Sequence, residues 1–407
     1  MQVQKTSTTS DILGRYYTSS LVGSILVNSM DVAQPEFVLD LGAGDGALTT
    51  AAAQRWQGAT YYTVDIDKHA KSSTLPAKFG RAFRHHIGDA LSASIEKKLG
   101  LKLGCADLAL CNPPYIRPLW RNGFANILED AGLSHVLPKL VDVPAAILFI
   151  AQNLRFLRES GRLGLIVPDG VIAGEKFSDL RHALASKYCI ERVIELPRGI
   201  FKRTEAKAHI LLLCKSTEGS DEIHVQRLEE TGFLSAELHV PRERAAHRLD
   251  YSFLSRNVTS SHPRHVSIGK VMVSLSRGSV SSSQRAHCDF PVLHTTDLNP
   301  TIQYVNRTFN FPFKAKSSTP CKLAQRGDIL IGRVGRNFEQ KICMVKSGCV
   351  AVSDCIFILT VMPQHRDAVF KFLKSATGRQ ALSCSSHGVG ARFLTSDSLQ
   401  NILFRAK

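Results

Sequence analysis

The sequence predicts an α/β protein in two parts. A mainly parallel sheet with helices on both faces occupies residues 1–250, and a smaller α+β domain follows over residues 251–407. Three observations predict this. Strand-like and helix-like segments alternate through the first half, which is the pattern of βαβ units. After about residue 216 the alternation gives way to short strand-like runs between turns. The charge shifts with it: residues 250–407 carry 21 Lys plus Arg against 8 Asp plus Glu, a surplus of 13 out of a net +16 for all 407 residues. A chain of this length is also too long for one ordinary core.

In chain order, Phe37–Leu41, Thr60–Asp65, Asp107–Cys111, Arg162–Val167, Ile190–Glu195 and Ala208–Cys214 read as buried strands, because they are short and rich in Val, Ile and Leu. Leu48–Trp56, Pro144–Glu159 and Lys176–Lys187 have helical periodicity. The stretch Ser216–Thr259 is polar and mixed in sign, with short apolar pieces. Beyond it, Lys270–Leu275, Asp328–Arg333, Ile342–Val345 and Cys355–Val361 read as strands, and Gln364–Ser375 as an amphipathic helix.

Several classes are set aside. No apolar run approaches the ~20 residues needed to cross a bilayer, and the N-terminus lacks the apolar core of a signal peptide. The 10 cysteines show neither a Cys-x-x-Cys pair nor histidines at zinc spacing, so reduced thiols in the cytoplasm, and no metal, are expected. A basic surplus confined to one part of the chain suggests a polyanionic partner, since phosphate neutralisation releases counterions. A merely solubilising surface is the alternative.

The first strand runs into Asp40-Leu41-Gly42-Ala43-Gly44-Asp45-Gly46. In an open α/β sheet such a strand-to-helix turn lies at the carboxyl edge, where ligands bind. The glycines permit a tight turn and a close approach of backbone to ligand. The spacing is not that of a dinucleotide fold, and an acid ahead of the glycines repels a pyrophosphate. It suits a ligand with an ammonium or sulfonium, and S-adenosylmethionine has both. Asp65 and Ile66, after the second strand, stand where a ribose diol and an adenine face would lie. Asp89 and Ala90 offer an acid to the adenine amine. A lone glycine turn is a weak signal; the two acids behind it strengthen this one.

The strand Asp107–Cys111 runs into Asn112-Pro113-Pro114-Tyr115. Two prolines remove backbone donors and fix φ, giving a rigid turn. The Asn112 side-chain oxygen and the Pro113 carbonyl can accept both hydrogens of a planar amine, and Tyr115 can stack on the ring that carries it. Such an amine is a poor nucleophile because its lone pair is delocalised. Two acceptors favour a tetrahedral nitrogen aimed at the methyl, so catalysis is positioning plus stabilisation of developing charge.

These residues resemble those of S-adenosylmethionine-dependent DNA adenine (N6) methyltransferases with the cofactor motifs first and the target-recognition domain last. The resemblance implies a Rossmann-like class I methyltransferase domain with a mainly parallel seven-stranded sheet over residues 1–250, and a DNA target-recognition domain over 251–407. Gly14-Arg15-Tyr16-Tyr17-Thr18 resembles the segment that closes over the cofactor's methionine end, which assigns Tyr17 and Thr18 to the cofactor; the family usually has Thr-Pro where this chain has Thr18-Ser19. Gly164 to Gly170 resembles the modification subunits of type I restriction systems. Gly199-Ile200-Phe201-Lys202 resembles the motif whose aromatic packs on the opposite face of a flipped adenine, so Phe201 and Tyr115 would sandwich the base; a plain core role for Phe201 is the alternative. The base must leave the stack, since a paired amine cannot reach a buried cofactor.

Leu293 to Leu298, Gln325 to Arg333 and Val352 to Phe357 resemble target-recognition domains of type I specificity subunits. Arg333, Arg336, Lys341, Arg379 and Arg392 are candidates for contacts with double-stranded DNA, and a solvated surface charge is the competing reading of each. The stretch Cys384 to Arg392 is read as a small, flexible loop, against DNA or against the protein. With one recognition domain in view, a homodimer on a two-fold site is an expectation. Both a solitary methylase and one paired with a restriction endonuclease fit the sequence, which does not imply the endonuclease. The same amine problem is posed by a glutamine in a protein, an RNA base or the N4 of DNA cytosine, and these remain the enzymatic alternatives. A DNA-binding specificity protein is the non-enzymatic one.

Overall fold

The computed structural model describes residues 18–75, 77, 80–136, 143–201, 207–259, 265–288, 290–301, 303–307, 321–387 and 392–405. It divides into two units, Met1–Leu254 and Ser255–Lys407.

The first unit is built on one sheet. Its strands are β1 (Phe37–Leu41), β2 (Thr60–Asp65), β3 (Phe83–Ile87), β4 (Ala106–Cys111), β5 (Leu157–Pro168), β6 (Cys189–Glu195), β7 (Ala208–Cys214), β8 (Glu222–Arg227) and β9 (Leu238–Pro241), in the order β3-β2-β1-β4-β5-β7-β6-β8-β9. All neighbours are parallel except β7, which runs against β5 and β6, and β9, which runs against β8. The sheet therefore has nine strands rather than the expected seven. The two extra strands come from the polar segment after residue 216: at the sheet's end they need only one buried row, and β8 buries Ile223 and Val225 while its other residues stay polar.

Alternation along the central strands feeds two cores. In β4, Ala109 and Cys111 join one apolar cluster and Leu108 and Leu110 the other. The first cluster takes side chains from α4 (Asn122–Asp130), α5 (Ala145–Phe156) and α7 (Ser178–Lys187). The second takes them from α1 (Ser20–Asn28) and α2 (Ala47–Arg55). Two shorter helices, α3 (Ile95–Leu99) and α6 (Asp169–Ala173), follow β3 and β5. The sheet is thus covered on both faces.

The connections create the crevice. After β1 the chain moves outward through β2 to β3, then returns to the other side of β1 as β4. Loops leaving β1 and β4 diverge, and the gap beyond their carboxyl ends is where an open α/β sheet binds ligands.

In the second unit, β11 (Met272–Arg277), β17 (Ile356–Val361), β15 (Ile329–Gly332), β16 (Ile342–Val352) and β12 (Val292–Leu293) lie side by side, with β13 (Tyr304–Arg307) and β14 (Leu323–Gln325) also paired to β16. A separate pair joins β10 (His265–Ser267) to β18 (Leu403–Arg405). Helices Pro363–Lys374 and Ala376–Cys384 close one face over Phe357, Leu359 and Val361. Among the described residues, no helix is long and apolar enough to cross a membrane.

Candidate active site

The glycine turn is held by the strand beside it. Gly42 and Ala43 donate their backbone N–H groups to Val64 O at 2.8 and 3.0 Å. Gly44 N–H donates to Asp65 Oδ2 at 2.7 Å and Asp67 N–H to Asp65 Oδ1 at 2.8 Å. Gly42, Gly44 and Gly46 have φ of +78°, +52° and +71°, a region that costs an L side chain about 1–2 kcal/mol. A Cβ on Gly46 would meet Leu75 Cδ1 at 2.8 Å, whereas one on Gly44 would have nothing within 4 Å. Gly46 is therefore glycine for packing, and Gly44 leaves room for a ligand.

Beyond the turn lies a cleft of about 310 Å³, large enough for a compact nucleoside-like ligand. Of the residues singled out from the sequence, Thr18, Asp40, Gly42, Ala43, Gly44, Asp65, Ile66, Asp89, Ala90, Asn112 and Pro114 line it. Apart from Thr18, which precedes α1, they come from the ends of β1, β2, β3 and β4, four adjacent strands. Gly46, Pro113, Tyr115 and Phe201 stand outside this lining, and Tyr17 lies outside the described residues. Ile66 is 60% exposed, an apolar face turned to the opening.

Asp40 is the most perturbed of these groups. It is buried, accepts a hydrogen bond from Thr49 Oγ1 at 2.6 Å on Oδ2, and leaves Oδ1 without a hydrogen-bond partner. Burial, helped by the nearby charge of Asp65 and opposed by the Thr49 hydrogen bond, raises its pKa from 3.8 to about 7. Among the described residues Asp40 has no cationic partner. Because the folded-state pKa is the higher, the protonated form stabilises the ligand-free fold; this contribution is complete below about pH 4 and is lost as pH rises through about 7. Asp40→Asn is therefore expected to raise the melting temperature of ligand-free protein near neutral pH and to leave it almost unchanged at about pH 4. A shift of equal size at both pH values would contradict this.

Asp89 is already engaged. Leu91 N–H donates to its Oδ1 at 2.9 Å, and Arg121 Nη1 to its Oδ2 at 2.6 Å. The Arg121 guanidinium also lies 4.6 Å from the centre of the Phe124 ring. An adenine amine that bonds Asp89 thus shares it with Arg121.

The strand end opposite is the Asn-Pro-Pro-Tyr turn. Cys111 Sγ donates to Leu41 O at 3.1 Å, joining the ends of β4 and β1. Asn112 Nδ2 donates to Thr18 Oγ1 at 3.0 Å. Tying the amide nitrogen orients the group, so Oδ1 is the end presented as an acceptor. The turn is anchored further along by Ala145 N–H donating to Ile116 O at 2.9 Å. Tyr115 packs against the apolar cluster that contains Phe201, and Phe201 is only 2% exposed. The structure brings both rings to one cluster, but with Phe201 closed to solvent.

Sequence reasoning missed Arg121, Ala145 and Phe149, which also line the cleft. Ala145 and Phe149 are one helical turn apart on α5, so they share a face. Phe149 supports the glycine turn, where a Cβ on Gly42 would meet its ring at 3.3 Å.

It also missed a buried group of charges along the same sheet edge. Asp169 follows β5, Glu195 ends β6, and Lys207 and His209 stand at the start of β7. Lys207 Nζ lies 3.5 Å from Asp169, 3.1 Å from Glu195 and 3.4 Å from Asp250. His209 Nε2 is 3.1 Å from Asp169 Oδ1, and Arg248 pairs with Asp250 at 2.8 Å. Ser252 donates its N–H and hydroxyl to Glu195 at 2.8 and 2.6 Å. Burial works against these charges, yet Lys207 and His209 hold Asp169 down at about 2, and Arg248 and Lys207 hold Asp250 well below the usual carboxylate range. The three carboxylates keep Lys207 above its ordinary value despite its desolvation. Each ion exists because of the others.

In the second unit the basic candidates differ. Arg336 and Arg379 are exposed, and Lys341 is half-buried. Arg333 Nε donates to Asp354 O at 3.1 Å. Arg392 donates to Ser383 and Ser386, pairs with Glu339 at 3.6 Å and lies 5.3 Å from the Phe338 ring. Its guanidinium is spent inside the unit. The stretch expected to be a loop from Cys384 begins as the end of a helix, because Leu382 packs in the core, and residues 388–391 lie outside the described residues. The motif acids are structural here: Asp328 accepts from Gln325 N–H and Thr360 Oγ1, both at 2.7 Å, and Asp297 from His294 N–H at 2.8 Å.

Residues 3–249 match the protein family described as N-6 DNA Methylase. The chain is 22% identical over 226 residues to the type I restriction enzyme StySPI methylase subunit of Salmonella potsdam, covering 50% of this chain and 41% of that one. It is 27% identical over 169 residues to a tRNA adenine-N6 methyltransferase of Glaesserella parasuis, covering 42% of this chain and 66% of that one. The chain spans less than half the length of the curated restriction-enzyme relatives it matches. Among solved structures, the type IIG restriction endonuclease BpuSI superposes with a TM-score of 0.52 at 12% identity, over 97% of this chain and 59% of that one. That likeness establishes the fold.

Proposed function

Because the chain belongs to the N-6 DNA methylase family, we propose that it transfers the methyl group of S-adenosylmethionine to the exocyclic N6 amine of adenine in double-stranded DNA. The observation that carries the proposal is the Asn112 amide, oriented by Thr18 at the end of β4 and set across the cleft from the glycine turn. S-adenosylmethionine, when bound, supplies an electrophilic methyl on a sulfonium together with an ammonium.

The residues present fit that group. Asp40, with a buried oxygen that has no hydrogen-bond partner, takes the ammonium; Asp65, Ile66 and Asp89 take the ribose, the adenine face and the adenine amine. A Cβ on Gly44 would meet nothing within 4 Å, so the turn leaves open space there for the ligand. On the substrate side, Asn112 Oδ1 and the Pro113 carbonyl accept the two amine hydrogens and draw the nitrogen toward tetrahedral geometry, and Tyr115 stacks on the base. No general base is needed for this, because the proton becomes acidic only as the bond to carbon forms. The extruded adenine reaches Tyr115 once the Gly199–Phe201 turn opens, since Phe201 is buried in the ligand-free fold. The second unit, with its basic surplus, is assigned DNA target recognition, and Arg336 and Arg379 are its best-placed phosphate contacts.

The test is transfer of labelled methyl from S-adenosylmethionine to duplex DNA, offered beside RNA and protein. Label in N6-methyladenine of DNA is the expected result. Label in RNA or protein with none in DNA overturns the assignment of substrate, and RNA is the outcome that the tRNA-methyltransferase likeness would favour.

A further inference from the structure

The last two strands of the first sheet carry side chains that methyl transfer does not use. His224 on β8 and His239 on β9 are register partners, with ring centres 5.0 Å apart. Glu237 stands just before β9. Its Oε2 lies 2.9 Å from Nδ1 of His224 and 3.9 Å from Nε2 of His239. One donor atom from each of the three residues falls within 4.8 Å of the others. Donors bound at about 2.0–2.1 Å to a tetrahedral ion stand about 3.4 Å apart, between the two distances seen here.

Two of these groups are aimed from behind. His239 Nδ1 faces Glu222 Oε2 at 3.2 Å, which leaves the Nε2 lone pair turned inward. A carboxylate behind a histidine is the arrangement that fixes the tautomer of metal-binding imidazoles. Arg192 donates to Oε1 of Glu237, and Oε2 faces the two imidazoles. Nδ1 of His224 faces Glu237 Oε2 and, among the described residues, has no other partner. Two carboxylates against one guanidinium leave the neighbourhood negative, which favours a cation.

We infer that His224, Glu237 and His239 form a binding site for a divalent transition-metal ion of the zinc class, with water completing its shell. Two imidazoles and one carboxylate are borderline ligands that suit zinc, cobalt or nickel rather than magnesium or calcium, which prefer all-oxygen sites. Because the ligands come from both strands of an edge hairpin, the ion pins β9 to β8 where the sheet has no further neighbour. The site is independent of the methyl-transfer reading.

The experiment uses the full chain after removal of metals with a chelator. Titration with Zn²⁺ is expected to show one saturable equivalent and a higher melting temperature. Co²⁺ is expected to give weak visible bands without the near-ultraviolet band of a thiolate ligand. His224→Ala and His239→Ala should each weaken binding at least tenfold, and Glu222→Gln by about tenfold through the orientation of His239. Asn112→Ala should bind metal as the unaltered protein does. Absence of saturable binding overturns the inference, as does binding that survives loss of both histidines or that shows the thiolate band.

Discussion

Asn112→Ala is expected to lower methyl transfer to DNA by about a thousandfold, the scale seen when one preorganised polar group that stabilises developing charge is removed. The loss should fall on kcat. S-adenosylmethionine affinity should change far less, because Asp40, Asp65 and Asp89 come from other strands, and the fold should survive because Asn112 sits in a half-buried turn that lines the cleft rather than in either apolar core. Single-turnover transfer of labelled methyl, with calorimetric titration of the cofactor, separates the two effects. Asn112→Asp is the sharper version: it keeps the acceptor and the size, but loses the N–H that donates to Thr18. An Asn112→Ala variant within threefold of the unaltered rate would remove the amide from the mechanism.

Lys207→Met is expected to destabilise the first unit by about 3–5 kcal/mol, because it leaves the buried Asp169, Glu195 and Asp250 short of a cation. In a unit of this size that corresponds to a melting temperature lower by about 10 °C. The effect has a pH signature. Asp169 and Asp250 have folded-state pKa values below their ordinary ones, so the stability they contribute is present above about pH 4 and is lost as pH falls toward about 2. The difference between the two proteins should therefore be largest near neutral pH and shrink on acidification. Melting curves over that range check it; a drop of less than about 2 °C at neutral pH would mean that solvent, not Lys207, balances those carboxylates.

The legible parts of the chain were those whose signal is local. Phe37–Leu41, Thr60–Asp65 and Ala208–Cys214 form strands with the bounds read from their apolar runs. Asp40, Asp65, Asp89 and Asn112 could be placed together because each sits at the end of its own strand, and parallel strands in sequence deliver their ends to one edge. Phe83–Ile87 was harder, since Arg84, His85 and His86 hide a strand that needs few apolar residues at its place beside β2. Glu222–Arg227 and Leu238–Pro241 were hidden for the same reason at the opposite end. The group around Lys207 was not legible at all. Its members span residues 169 to 250, and only the order of strands brings them together.

The reversed direction of β7 has a consequence for how such a protein can diversify. A strand that runs against its neighbours begins at the edge where β6 stops, so residues 196–207 leave and re-enter the sheet at adjacent posts, roughly one strand spacing of 5 Å apart. Closing a longer connection over so short a gap costs little, since the entropy grows only with the logarithm of its length. Insertions there can rewrite the wall that carries Phe201 while the glycine turn and the Asn112 amide stay where they are. That connection can lengthen without moving the strand ends that hold the cleft.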